Sequence, residues 1–292
     1  MIEGIIIKGI GGFYYVKTES EVIECRARGI FREKKITPLV GDRVLIRINQ
    51  EDNKGYIEEI LERKTCLIRP PVANVTQAII VMSIKEPVIN LWLLDRFLVM
   101  AEHNHLNIQI CINKVDLGQE EEINNILEIY DKAGYKVLKT STKTMEGIDE
   151  LKRALTNHIT VFAGPSGVGK SSLLNKINPN LKLKSGEVSK KANRGRHTTR
   201  HVELFELYSN SFVLDTPGFS SLSLDFIEDP VELSDYFIEM GKYRYNCKFK
   251  GCLHFKEPDC EIKKQVQEGN ISYQRYNNYI QFLEEILENR RF

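Results

Sequence analysis

The segment Gly164-Pro165-Ser166-Gly167-Val168-Gly169-Lys170-Ser171 directly follows the apolar run ITVFA and precedes the helical pair Leu173-Leu174. In such a strand–turn–helix setting, glycines let successive backbone N–H groups curl around a phosphate at a helix N-terminus. Lys170 would then reach β- and γ-phosphate oxygens, while Ser171, followed by Ser172, would offer a hydroxyl to Mg²⁺. A phosphate cradle alone does not choose among kinase, ATPase and GTPase. Asn113-Lys114-Val115-Asp116, at the end of the apolar run Ile108–Ile112, makes that choice. Asp116 can accept hydrogen bonds from guanine N1–H and N2–H₂, whereas adenine presents an acceptor at N1 and no 2-amino group. Asn113 could brace the loop, and the aliphatic stem of Lys114 could cover the base. Ser141, between Thr140 and Thr142, is a candidate for closing the same pocket; the alternative is an ordinary turn after a strand.

Two further segments fit a triphosphate. Asp215-Thr216-Pro217-Gly218 follows the run Phe212–Leu214 and supplies a carboxylate for the Mg²⁺ surroundings and a Gly218 N–H for the γ-phosphate. Thr198 and Thr199 offer a hydroxyl to Mg²⁺, with Thr199 favoured. The stretch from Lys182 to His201 carries seven Lys or Arg residues against Glu187, a net +6, so it can respond to both a nucleotide and a nucleic-acid backbone. A solvated basic loop is the plainer alternative.

Cys247, Cys252, His254 and Cys260 provide three thiols and one imidazole within a short segment, a complete tetrahedral set for structural Zn²⁺ with no position left for a reacting water. Lys242, Arg244, Lys248, Lys250 and Lys256 surround the set and suggest RNA contact. Cys25, Cys66 and Cys111 lie in or beside apolar strands and are expected to be packing residues.

These groups need elements to hold them. The first 65 or so residues alternate short β-rich runs, Ile5–Ile7, Phe13–Val16, Val22–Arg26, Arg43–Ile48 and Tyr56–Leu61, with glycine-rich turns, a pattern that fits an OB-fold barrel. Arg26, Arg28, Arg32, Lys34 and Lys35 form a basic cluster there. Arg69-Pro70-Pro71 reads as a linker. From Gln77 onward, the strands Ala78–Ile84, Ile108–Ile112, Lys136–Lys139 and Ile159–Ala163 alternate with amphipathic helices, the texture of a mostly parallel α/β sheet. Asn90 is an N-cap, Glu120 to Ala133 a helix ending at Gly134, and Val202–Tyr208 with Phe212–Leu214 a hairpin. A helix opens near Asp229-Pro230, and a C-terminal one carries Tyr276, Ile280, Leu283 and Leu287 on one face.

The 292 residues, 42% apolar and 28% charged, suit two or more globular domains and exclude collagenous, coiled-coil or largely disordered chains. The net charge of +1 means that attraction to nucleic acid must come from local patches. The start MIEGIIIKGI lacks the basic opening and long apolar stretch of a signal peptide, and no apolar run approaches the ~18 residues of a membrane span. A cytoplasmic protein with no membrane association is expected.

The base-reading element at residue 113 precedes the phosphate elements at 164 and 215, the reverse of an ordinary small GTPase. With a preceding barrel, G-P-S-G-V-G-K-S-S, G-R-H-T-T and Cys-x₄-Cys-x-His-x₅-Cys, nearly the whole chain resembles the circularly permuted ribosome small-subunit-dependent GTPase A (RsgA) family. The resemblance implies an OB-fold RNA-binding domain over 1–68, a permuted α/β P-loop GTPase domain over 69–224, and a helical zinc module over 225–292. It further implies a monomer that binds GTP and GDP with Mg²⁺. Its hydrolysis would be stimulated by the 30S subunit late in that subunit's maturation, through contacts with 16S ribosomal RNA. Phe219 stands where many GTPases place the water-orienting glutamine, as in the resembled family, and His197 is the candidate substitute. Gly167 stands where potassium-dependent relatives have asparagine, so no potassium cofactor is expected. The competing reading is an RNA-binding or chaperone protein stabilised by guanine nucleotide, with hydrolysis incidental.

Overall fold

The computed structural model describes residues 1–49, 54–68, 71–183, 202–208, 210–214 and 222–290. In chain order the elements are β1 (Ile2–Ile10), β2 (Phe13–Lys17), β3 (Val22–Ala27), α1 (Gly29–Glu33), β4 (Arg43–Ile48), β5 (Gly55–Ile60), β6 (Cys66–Ile68), β7 (Pro71–Ala73) and β8 (Gln77–Ser83). They continue as α2 (Leu91–His103), β9 (Asn107–Asn113), α3 (Glu120–Ala133), β10 (Lys136–Thr140), α4 (Ile148–Ala154), β11 (Ile159–Ala163) and α5 (Lys170–Ile177). The last are β12 (Leu204–Tyr208), β13 (Ser211–Leu214), α6 (Glu261–Gln267) and α7 (Tyr273–Asn289). Two compact units divide this chain. One holds Met1–Ala78, Asp149–Ser166 and the elements from Lys170 through β13; the other holds Ile79–Ile148, Gly167–Gly169 and the chain from Leu222 onward.

In the first unit, β1-β2-β3-β5-β4 close into a barrel, the strand order of an OB-fold. Side chains at alternate positions, Ile23 and Cys25 on β3 and Val44 and Ile46 on β4, fill its interior, as the two-residue period of a strand requires. A Cβ at Gly55 would lie 2.3 Å from Cys25 Sγ, so glycine lets β5 close on β3. The predicted linker is different in one respect: β6 and β7 pair antiparallel, with Pro71 opposite Ile68. Proline is tolerated at the first position of a two-stranded edge, where its missing N–H breaks no inner ladder.

The same unit contains β11, wholly buried and parallel to β13, with β12 antiparallel beyond it as the predicted hairpin. Thr76, just before β8, donates its N–H to the Ile159 carbonyl at 3.1 Å. Lys8 on β1 pairs with Glu203 at 3.1 Å, and Lys17 on β2 with Glu206 on β12 at 3.5 Å, tying barrel to hairpin within the unit.

In the second unit the strand order is β10-β9-β8, with β10 parallel to β9. All seven residues of β8 are buried, as expected of an inner strand covered on both faces. Asn90 caps α2, its Oδ1 accepting from Leu93 N at 2.9 Å. The α3 helix ends at Gly134 with φ of 105°, a left-handed conformation glycine adopts without strain. The expected helix at Asp229-Pro230 is a 3₁₀ helix, Pro230–Tyr236, whose Asp229 accepts from Val231 N at 3.0 Å. The α7 helix buries Arg275, Asn278, Tyr279, Phe282, Leu283 and Ile286, a face turned from the predicted one, so Tyr276, Ile280 and Leu287 flank the core. The turn has a polar cause, since Arg275 and Asn278 both bind Asp95 of α2, at 2.5 and 2.6 Å.

Candidate functional site

Residues 164–171 link the end of β11 to the start of α5. Gly164, Gly167 and Gly169 all have positive φ, 133°, 86° and 99°. A side chain at Gly169 would be strained twice, because its Cβ would also sit 2.4 Å from Asn113 Nδ2. Lys170, the first residue of α5, turns its ammonium back over the loop and donates to the carbonyls of Gly164 and Pro165, each at 2.7 Å. It is 5% exposed, and burial pushes its ammonium down to about 8. The site therefore holds a cation at some cost in charge stabilisation, which an anion would supply. In the first turn of the same helix Ser171 is buried and Ser172 exposed.

In the second unit, Asn113 closes β9. It is 1% exposed, its Nδ2 donates to the Val168 carbonyl at 2.8 Å, and its Oδ1 accepts from Thr140 Oγ1 at 3.1 Å. The asparagine of the base-reading motif thus grips the loop residue two places before Lys170, although 55 residues of chain separate them. Lys114 adopts a left-handed conformation, φ 61°, and its Nζ donates to the Glu86 carbonyl, which extends the side-chain stem alongside the loop after β8. Val115 is buried and opens the short 3₁₀ turn that carries Asp116. Ser141 donates to Asp116 Oδ1 at 2.6 Å and is itself fixed by the backbone N–H groups of Lys143 and Thr144, at 3.2 and 3.1 Å. The candidate Ser141 therefore sets the carboxylate's orientation. Lys143 Nζ stands 3.8 Å from Asp116 Oδ2.

His197, Thr198, Thr199, Asp215, Gly218 and Phe219, and the basic stretch from 184 to 201, lie outside the described residues.

The four proposed metal ligands come together: their donor atoms all lie within 4.8 Å of one another. His254 Nδ1 is 3.5 Å from Cys247 Sγ and 3.4 Å from Cys260 Sγ, and the latter two sulfurs are 3.9 Å apart. A tetrahedral ion with Zn–S of about 2.3 Å and Zn–N of about 2.0 Å requires sulfur–sulfur edges of about 3.8 Å and sulfur–nitrogen edges of about 3.5 Å. The residues present fit the ion. Burial pushes the His254 imidazole down to about 4, keeping it neutral with a lone pair to give, and pushes the Cys260 thiol up to about 12. A divalent cation is the group that would let thiolates persist there. The loop is fixed by α7, whose Tyr276 and Tyr279 hydroxyls donate to the carbonyls of His254 and Leu253 at 2.8 and 2.9 Å.

Of the other cysteines, Cys25 and Cys111 are buried as expected, but Cys66 is exposed, because β6 lies in a two-stranded edge rather than a core. Sequence reasoning missed the buried ionic cluster behind this module. Arg275 binds Asp95 and, through Nε and Nη2, Glu239 at 2.6 and 2.9 Å. No local motif could reveal groups so far apart along the chain.

A P-loop gripped by an Asn-Lys-x-Asp element that precedes it in the chain defines a circularly permuted P-loop GTPase. A model of the RsgA GTPase family matches residues 60–225, and one of the RsgA N-terminal domain matches residues 3–57. The small ribosomal subunit biogenesis GTPase RsgA of Alkaliphilus metalliredigens is 50% identical, covering 100% of both chains. The protein of that name from Caldanaerobacter subterraneus is 52% identical over 99% of this chain and 97% of its own. Among solved structures, the circularly permuted GTPase YloQ is 44% identical with a TM-score of 0.82, covering 99% of this chain and 96% of that one. YjeQ from Thermotoga maritima is 40% identical, with a TM-score of 0.84 and 98% coverage of both. The chain belongs to the RsgA family of GTPases.

Proposed function

We propose that this chain hydrolyses GTP to GDP and phosphate when it docks on the small ribosomal subunit, and that it acts late in that subunit's maturation through contacts with 16S ribosomal RNA. The observation that carries the reading is the 2.8 Å bond from Asn113 to the Val168 carbonyl, which joins the base-reading and phosphate-binding motifs. GTP-binding residues are Asn113, Lys114, Val115, Asp116, Ser141, the loop from Gly164 to Ser172, Asp215 and Gly218. Asp116 receives guanine N1–H and N2–H₂ with its carboxylate set by Ser141, and Lys170 exchanges its two carbonyl partners for phosphate oxygens. Mg²⁺, held by Ser171 and Thr199, would supply charge neutralisation at the β- and γ-phosphates. Phe219 cannot orient water, so His197 takes that role when ribosomal RNA engages the basic segment around it.

The named relatives support the ribosomal assignment, and the basic segment at 182–201 supports the RNA contact. The metal is read as structural zinc on Cys247, Cys252, His254 and Cys260. Domains are assigned as 1–68 for the OB-fold, 69–224 for the GTPase and 225–292 for the zinc module. The protein is read as a cytoplasmic monomer without membrane association; no helix among the described residues is long and apolar enough to cross a membrane. His197→Ala should keep GTP affinity and lose turnover stimulated by small subunits. An unchanged stimulated kcat would remove His197 from the mechanism.

A further inference from the structure

We propose that the loop carrying Tyr245 and Phe249 beside the Cys₃His cluster is a stacking site for an unpaired base of single-stranded RNA. The inference deepens the ribosomal-RNA reading and rests on it. Tyr245 is 79% exposed and Phe249 43% exposed. Both rings line one cleft of about 440 Å³, together with Lys250, Arg244 and Asp235, whose carboxylate is neutralised by that arginine.

Each ring has a cation near it. The Arg244 guanidinium lies 4.7 Å from the centre of the Tyr245 ring and donates to its hydroxyl at 2.6 Å, and Lys248 Nζ lies 5.8 Å from the centre of Phe249. A guanidinium over one face of Tyr245 steadies the ring and leaves the other face to a base. The support is already rigid: Arg244 is ion-paired with Asp235, and Cys247 and Cys252 anchor the loop in the metal cluster. Little ordering entropy therefore remains to be lost on binding.

Charge selects the occupant. From Lys242 to Lys256 the chain carries five Lys or Arg residues and no carboxylate. Lys248 is paired with Asp259 at 2.9 Å, whereas Lys242 and Lys250 carry no ion pair among the described residues. Aromatic rings interleaved with unpaired cations match the alternation of base and phosphate in a single strand. A duplex offers no free base face, and an apolar protein partner would gain nothing from the cations.

The test uses the full chain loaded with zinc and a ten-nucleotide single-stranded RNA bearing one central 2-aminopurine. Binding should quench the probe. Tyr245→Leu should weaken binding roughly 5- to 150-fold, the range expected for losing one stacked base, while Tyr245→Phe holds it within about twofold. Lys250→Ala should lower affinity and the salt slope yet keep the quench. Equal affinity of Tyr245→Leu and wild type at unchanged zinc content overturns the site, as does equally tight binding of the same sequence as a duplex. Wild-type GTP hydrolysis with small subunits is measured in parallel. Stimulation without quenching rejects the stacking site alone, and quenching without stimulation rejects the ribosomal reading instead.

Discussion

Under the proposed function Asp116 would read the base and Lys170 the phosphates, and each gives a separate prediction. Asp116→Asn replaces one of two acceptors with a donor facing guanine N–H groups, so GTP affinity should fall on the order of 100-fold with charge-assisted hydrogen bonds lost; calorimetric titration checks it. Lys170 has the opposite linkage from a salt-bridged lysine. Its ammonium, pushed down to about 8 from 10.5 by burial, is disfavoured by the fold, so the cost of holding that charge is full below pH 8 and fades as pH rises toward 10.5. Triphosphate binding restores the charge. Between those values binding should take up a proton, and affinity should fall by up to about tenfold per pH unit. Titrations in two buffers of different ionisation enthalpy measure the uptake; none at pH 9 would refute the assignment. The P-loop and Asn-Lys-x-Asp residues were legible in the sequence because their chemistry is confined to short segments with a characteristic strand before each. Ser141 was visible only as a hydroxyl after a strand, since its partner Asp116 lies 25 residues away.

Elements whose apolar faces alone decide their burial follow the sequence pattern closely. The predicted α3 and β11 match their observed bounds, and Asn90 caps α2 as expected. The C-terminal helix departs from its predicted face because hydrophobic periodicity counts Arg275 and Asn278 as solvent-facing, and only tertiary pairing with Asp95 and Glu239 turns them inward. Arg275→Met should leave two buried carboxylates uncompensated and lower unfolding stability by about 3–5 kcal/mol, measured from denaturant midpoints. Gly169→Ala tests the junction of the two nucleotide motifs. Its Cβ would collide with Asn113 Nδ2 at positive φ, so GTP binding should be lost while the barrel, a separate part of the chain, keeps its far-UV signal. The β6–β7 hairpin escaped prediction because two prolines are a breaker signal in sequence, and only the edge position makes Pro71 tolerable.

At the scale of the molecule, the swapped order of motifs is harmless because the bond between Asn113 and Val168 depends on where β9 and the P-loop lie in space and not on which comes first in the chain. The C-terminal Cys₃His module is held to α2 by Arg275 and by Arg96, whose two Nη groups donate to Glu285 at 2.5 and 2.6 Å. Removing the metal with a chelator should loosen Cys247–Cys260 and speed its hydrogen exchange, with GTP affinity retained. Under the proposed function the permuted guanine site becomes an efficient hydrolase only on the small ribosomal subunit. The most direct measurement is the GTP hydrolysis rate as purified 30S subunits are added. A saturable rise, absent with ATP and lost in Asp116→Asn, is expected; a rate that stays flat across the titration would rule out a subunit-stimulated GTPase.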